Sequence, residues 1–175
     1  MRNALFERRL LAEEARSWIG TAFAHQGRLK KTRHDLGGVD CLGLLVGAAK
    51  ARGLLSSERD SEGRRIPLAA FDSPDYARAP SPGTLESALL RHSERVYMGA
   101  GGKYPFQHGD ILLFSFGTRP QHVGIVTGGS RQSSAIFTRA YEPSGRVAEA
   151  RLDERWLRLL AGVYSLPDSA FGAGE

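Results

Sequence analysis

Apolar residues recur at helical spacing near the start of the chain. Leu11, Ala15, Trp18 and Ile19 share one face of a run over residues 7–19, with charges opposite. Gly20 ends that run, and residues 21–38 show no period and read as loop. A second helix is predicted over residues 42–52, where Leu42, Leu45, Val46 and Ala49 repeat at helical spacing. Asp40 is placed to cap its start, Lys50 and Arg52 fall in its last turn, and Gly53 suits the position after it. Residues 56–82, rich in Ser, Pro, Asp and Arg, read as a long surface excursion. Thr84 is expected to cap a short helix through His92, with Leu85, Ala88 and Leu89 inward, and residues 99–102 to form a flexible turn.

From Asp110 the period changes. Residues 111–116, 122–127, 135–141 and 146–151 are short, apolar or β-branched, and separated by Gly, Pro or Ser. They predict an antiparallel meander. Asp153 is placed to cap a last helix carrying Trp156, Leu157 and Leu160, and residues 163–166 read as a closing strand. Helices first and strands second predict an α+β domain, here residues 1–168, followed by a flexible tail at 169–175.

Composition narrows the function. A chain of 175 residues with 41% hydrophobic and 25% charged residues matches one soluble globular domain. The net charge of +5 favours anionic partners, but Arg28, Lys30, Lys31 and Arg33 form the one dense basic cluster. No aromatic stacking pattern accompanies it, which argues against a nucleic-acid module. A single cysteine excludes a disulfide framework and a thiolate-rich zinc site, and no cofactor is expected. Charges interrupt the N-terminal segment, and no apolar stretch has the length of a membrane span. The expectation is a protein made in the cytoplasm without a signal peptide and without membrane insertion.

Cys41 stands at the start of the second predicted helix. Free amide groups there favour a thiolate, the form that attacks a carbonyl. Gly43 leaves room for backbone approach, and the Cys41 amide is placed to donate to an oxyanion. The alternative is an inert buried cysteine. Of five histidines, His122 opens the strand His-Val-Gly-Ile-Val at an edge where a side chain reaches a cleft. A third group would orient its ring, and the next strand offers Thr138 and Arg139 on opposite faces, with Gln121 nearby.

Four segments in order carry a resemblance. They are Trp-Ile-Gly-Thr from Trp18, Asp-Cys-Leu-Gly-Leu from Asp40, Gly-Asp-Ile-Leu-Leu-Phe from Gly109, and His-Val-Gly-Ile-Val from His122. Together they resemble the NlpC-type bacterial cell-wall cysteine peptidases, which have a papain-like fold. Ala-His-Gln after Phe23, Pro-Asp-Tyr at Tyr76 and the segment from Ala140 to Glu149 are similar to the branch found in tailed phages and gene transfer agents. The resemblance implies hydrolysis of amide bonds in peptidoglycan stem peptides, with Cys41 as nucleophile and His122 as base. It places Trp18, Phe23, Asp40 and Gly43 at the substrate groove. It also implies action on the cell wall as part of a phage-like tail, with tail proteins as partners. Two positions depart from the family pattern. Phe23 stands where Tyr is usual, and Arg139 where a polar third residue, commonly His, is usual. Arginine offers no acceptor to an imidazole N–H. Two other readings follow: a non-catalytic tail or wall-binding component that keeps the fold, and an acyl-transfer enzyme acting on another amide or ester.

Overall fold

The computed structural model describes residues 3–78, 81–97, 103–117, 119–129 and 134–172. The turn expected at 99–102 lies outside them. Helix α1 (Ala4–Ser17) begins earlier than its apolar period suggests because Asn3 caps it, accepting from the Leu5 N–H at 3.0 Å. The expected loop at 21–38 contains two short strands, β1 (Arg28–Leu29) and β2 (Gly38–Val39), paired antiparallel. Helix α2 (Cys41–Ala51) follows directly, with Asp40 as its cap.

Residues 56–82 are more ordered than a surface excursion. They form a hairpin of β3 (Leu55–Arg59) and β4 (Arg65–Pro67), then a 3-10 turn at Leu68–Phe71. A two-stranded hairpin outside the main sheet buries little, so its sequence shows weak alternation. Helix α3 (Thr84–His92) starts at Thr84 rather than being capped by it; the cap is Gly83, at φ +78°. Leu85 and Leu89 point inward as expected, whereas Ala88 is exposed.

The main sheet contains β5 (Glu94–Tyr97), β6 (Ile111–Ser115), β7 (Pro120–Gly128), β8 (Ile136–Tyr141), β9 (Arg146–Arg151) and β10 (Leu160–Ser165). Their order is β5-β10-β6-β7-β8-β9, with every pair antiparallel. The meander from β6 to β9 is as expected. Helix α4 (Glu154–Leu159) is capped by Asp153 and delivers the chain back beside β6 as β10, which begins at Leu160.

The sheet has two apolar faces. Ile111, Leu113, Val123, Ile125 and Ala140 pack against Leu11 and Ala15 of α1 and Leu44 and Ala48 of α2. Leu112, Phe114, Val126 and Phe137 pack against Trp156 of α4. Alternation along each strand sends neighbours to opposite faces, so β6 is apolar throughout.

The expected tail at 169–175 does not begin loose. A 3-10 turn at Asp168–Phe171 buries Ala170 and Phe171 in the core. Arg8 secures it by donating to the Leu166 carbonyl and to Asp168 at 3.3 Å, with its guanidinium over the Phe171 ring. The apolar Ala-Phe pair outweighs the flanking glycines.

Candidate active site

Asp40 organises one side of the site. Its Oδ1 accepts from the Gly43 N–H at 2.8 Å, the N-terminal cap of α2. Its Oδ2 accepts from the Gln26 N–H at 2.7 Å and from the Tyr76 hydroxyl. Arg28 lies 3.3 Å from Oδ1 and makes a bidentate pair with Asp72 at 2.8 and 2.9 Å. Arg28 also donates to Tyr76 Oη, and Gln26 Nε2 donates to the Tyr76 carbonyl. The segment after the 3-10 turn is thereby strapped across the start of α2. The His25 and Tyr76 rings meet in a T-shaped pair, and His25 Nδ1 lies 3.9 Å from Asp40.

Cys41 is the first residue of α2 and half-buried. Burial pushes its thiol up to about 11. The Val123 N–H pulls the other way, the Asp40 charge adds to the rise, and the N–H groups of Leu42 and Cys41 oppose it. Donors at the helix start are therefore present, but burial outweighs them and the resting group is a thiol. The Val123 contact places the sulfur beside β7, next to His122.

Val123 and Ile125 face the helices, so His122 has the opposite parity on β7. Its ring lies among Phe114, Phe116, Tyr141 and Trp156. The pairing of β6 with β7 shifts register here, from Phe114 opposite His122 to Ser115 opposite Pro120. His122 is 6% exposed, and its Nε2 is buried without a partner. Burial, then the Arg139 charge, lowers it to about 3. No hydrogen bond links Cys41 to this ring among the described residues. Both residues line one cavity of about 730 Å³, along with Phe23, Asp40 and Gln121.

Arg139 shares the face of His122. Its guanidinium sits over Trp156, Tyr141 and Phe137, at 4.6, 5.1 and 5.2 Å from the ring centroids. Its Nε and Nη1 are buried without partners, and burial lowers its proton affinity. Thr138 points to the other face and bonds Thr127 at 3.0 Å. Trp18 and Gly43 are not in the cavity wall. Trp18 packs over Gly47, where a side chain would collide with it, and its Nε1 donates to Glu14 at 2.9 Å. Gly43 admits the Gly27 carbonyl, which would lie 2.2 Å from a Cβ. Among the described residues, no cluster of His, Cys, Asp and Glu is suited to a metal ion.

No family model matches the chain, and no curated protein matches it. Solved structures do. NlpC1 from Trichomonas vaginalis superposes with a TM-score of 0.55 at 15% identity, covering 94% of this chain and 46% of that one. An N-acetylmuramoyl-L-alanine amidase from Bacteroides uniformis gives 0.52 at 10% identity, covering 91% and 98%. An NlpC/P60 family protein from Bacillus cereus gives 0.51 at 16%, covering 91% and 40%. This chain spans less than half of the first and third of these proteins.

The chain has the papain-like NlpC/P60 fold.

Within that NlpC/P60 fold, sequence reasoning missed the network on Asp40. Tyr76, Asp72 and Arg28 lie 36, 32 and 12 positions from Asp40. Two of these are charged residues and one is aromatic, and in isolation they read as surface. The Pro-Asp-Tyr segment carries only the phage-like resemblance. The cavity itself also escaped, because the face of α2 that lines it looks like a core stripe.

Proposed function

We propose that this chain is a cysteine hydrolase of amide bonds in peptidoglycan stem peptides. Cys41 is its nucleophile and His122 its base. One observation carries the reading: His122, whose Nε2 is buried without a partner, lines the same cavity as Cys41 at a helix start. The fold it shares with a solved muramoyl-alanine amidase supports the substrate class.

In the resting site both groups are neutral, since the thiol is pushed up to about 11 and the imidazole down to about 3. A standing thiolate–imidazolium pair is therefore disfavoured. The proton passes from Cys41 Sγ to His122 as the sulfur–carbon bond forms, in general-base fashion. The N–H of Cys41 donates to the developing oxyanion. His122 then returns the proton to the leaving amine as the C–N bond breaks. Water attacks the thioester, giving the free acid and restoring the thiol. Arg139 holds the place of a third residue but has no acceptor for the ring, so the reactive unit is a dyad. The phage-like segments extend the reading to a wall-opening role within a tail.

Incubation with dye-labelled peptidoglycan of several chemotypes, against Cys41→Ala, tests the reading. Cys41-dependent release of dye is expected. No Cys41-dependent product from any chemotype overturns it.

The raised thiol and the missing Cys41–His122 hydrogen bond favour a second reading, a non-catalytic wall-binding component. Iodoacetamide separates the two. Alkylation of Cys41 that slows in His122→Ala supports the enzyme, and equal slow labelling of both proteins supports the binding component.

A further inference from the structure

Helix α2 is apolar on more faces than the protein covers. Leu44 and Ala48 enter the core, but Leu42, Leu45 and Val46 are only half-buried and face the cavity. An all-apolar helix is stable in water when every face is covered. The cavity starts at Cys41 and follows α2 to Ala49, about 12 Å along the helix axis. Leu68 and Phe71 of the 3-10 turn and Leu85 and Leu89 of α3 form the facing wall.

Several charged and polar groups around this space already have partners. Arg28 pairs with Asp72 and Asp40, His92 with Ser56, and Arg91 with Glu58. Of the residues with a buried polar atom left without a partner among the described residues, just His122 lines the cavity. A charged ligand would lose hydration along the stretch lined by Leu42, Leu45, Val46, Leu68, Phe71, Leu85 and Leu89, whose side chains offer it no hydrogen bond. An occupant with one polar end and a linear hydrocarbon remainder matches the apolar wall along α2 and the polar group at its Cys41 end.

We infer that this cavity is an acyl-chain site, which takes the hydrocarbon tail of a fatty-acyl ester with its carbonyl at Cys41. The chemistry rests on the Cys41 and His122 reading given above; the binding site does not. Cys41 Sγ attacks the ester carbonyl while its proton moves to His122. The C–O bond breaks, and the departing alcohol takes that proton. The thioester on Cys41 keeps its chain in the cavity until water releases the fatty acid and restores the thiol. The same nucleophile then serves two acyl donors, a wall amide crossing the mouth and an ester whose chain fills the interior.

Binding is read on full-length Cys41→Ala protein titrated with dansyl-undecanoic acid, and turnover on the native protein with p-nitrophenyl acetate and decanoate. Saturable fluorescence displaced by decanoate is expected, as is a kcat/KM that rises with chain length. Ala88→Trp, at an exposed position on α3 that borders the cavity, and Leu45→Trp on α2 should each weaken binding about tenfold. No saturable binding by Cys41→Ala protein that retains its circular dichroism overturns the acyl site. Binding without cleavage of either ester upholds the site and overturns Cys41 as an ester nucleophile. Peptidoglycan cleavage without probe binding overturns the acyl site and leaves the peptidoglycan reading standing.

Discussion

At one end of the candidate active site, Asp40 receives hydrogen bonds from Gly43, Gln26, Tyr76 and Arg28, and Arg28 is further held by Asp72. At the other end, His122 Nε2 and two nitrogens of Arg139 are buried among aromatic rings without partners. Burial is similar at Asp40, His122 and Arg139, at 4%, 6% and 8% exposure, so solvent does not explain the difference. The Asp40 end is a clamp: Asp40, Arg28, Asp72 and Tyr76 are joined in one hydrogen-bonded network, and the geometry of α2 follows. The His122 end keeps unsatisfied groups, which cost stability and leave a ring nitrogen free to take a proton. Cys41 sits between the two, and in the proposed mechanism the first holds it in place and the second serves it.

The largest effects should come from removing the chemistry. Cys41→Ala should abolish peptidoglycan release, and His122→Ala should lower it about a hundred- to ten-thousand-fold, with thermal melts near native. Equal activity in His122→Ala would erase the functional half of the contrast. Asp40→Ala should instead act on folding. It uncaps α2, orphans Tyr76 and takes one partner from Arg28, for a loss of about 3 kcal/mol in urea unfolding.

Acid should weaken the His122 end selectively. Its folded value of about 3 lies below the ordinary 6.5, so the unfolded chain binds more protons between those values. This contribution to stability is complete above pH 6.5 and is lost as pH falls toward 3. Thermal unfolding across that window should fall more steeply for the native protein than for His122→Gln, and parallel curves would remove His122 as the cause.

Arg139→Met should be neutral or stabilising by about 1 kcal/mol, because it removes two unpaired donors from an aromatic box that accepts a flexible apolar chain. It should also raise the His122 titration seen by NMR, since the neighbouring charge is gone. The smallest effect belongs to Tyr76→Phe. Loss of one hydroxyl from an otherwise paired network should cost about 1 kcal/mol in urea unfolding. A drop as large as that of Asp40→Ala would mean the strap, rather than the carboxylate, is the central element of the clamp.

Much of the fold was legible because each α2 and sheet signal was local. Asp40 capping a helix, the apolar period after it, and the alternation in β6 to β9 all lie within a few residues of one another. The 310-containing stretch at 68–78 was not legible, because its polar residues meet partners more than thirty positions away. Phe171 departs from expectation for a related reason: the glycines around it suggest a loose end, and the cleft that receives its ring exists only after α1 and β10 have packed. Of the expected groove residues, Phe23 and Asp40 reached the cavity, while Trp18 and Gly43 became packing positions.

The sequence by itself determined the class of element at each position and the placement of one thiol at a helix start, because capping and periodicity act over one or two turns of chain. Tertiary structure decided the state of that thiol and of its neighbour. Whether Cys41 rests as a thiolate depends on how much water remains around it, and whether His122 is basic depends on the rings and the guanidinium packed against it. Those quantities are set by residues from four separate elements brought together by folding. Likewise, an apolar stripe on α2 reads the same whether it meets core or cavity, and only the position of the facing wall tells the two apart.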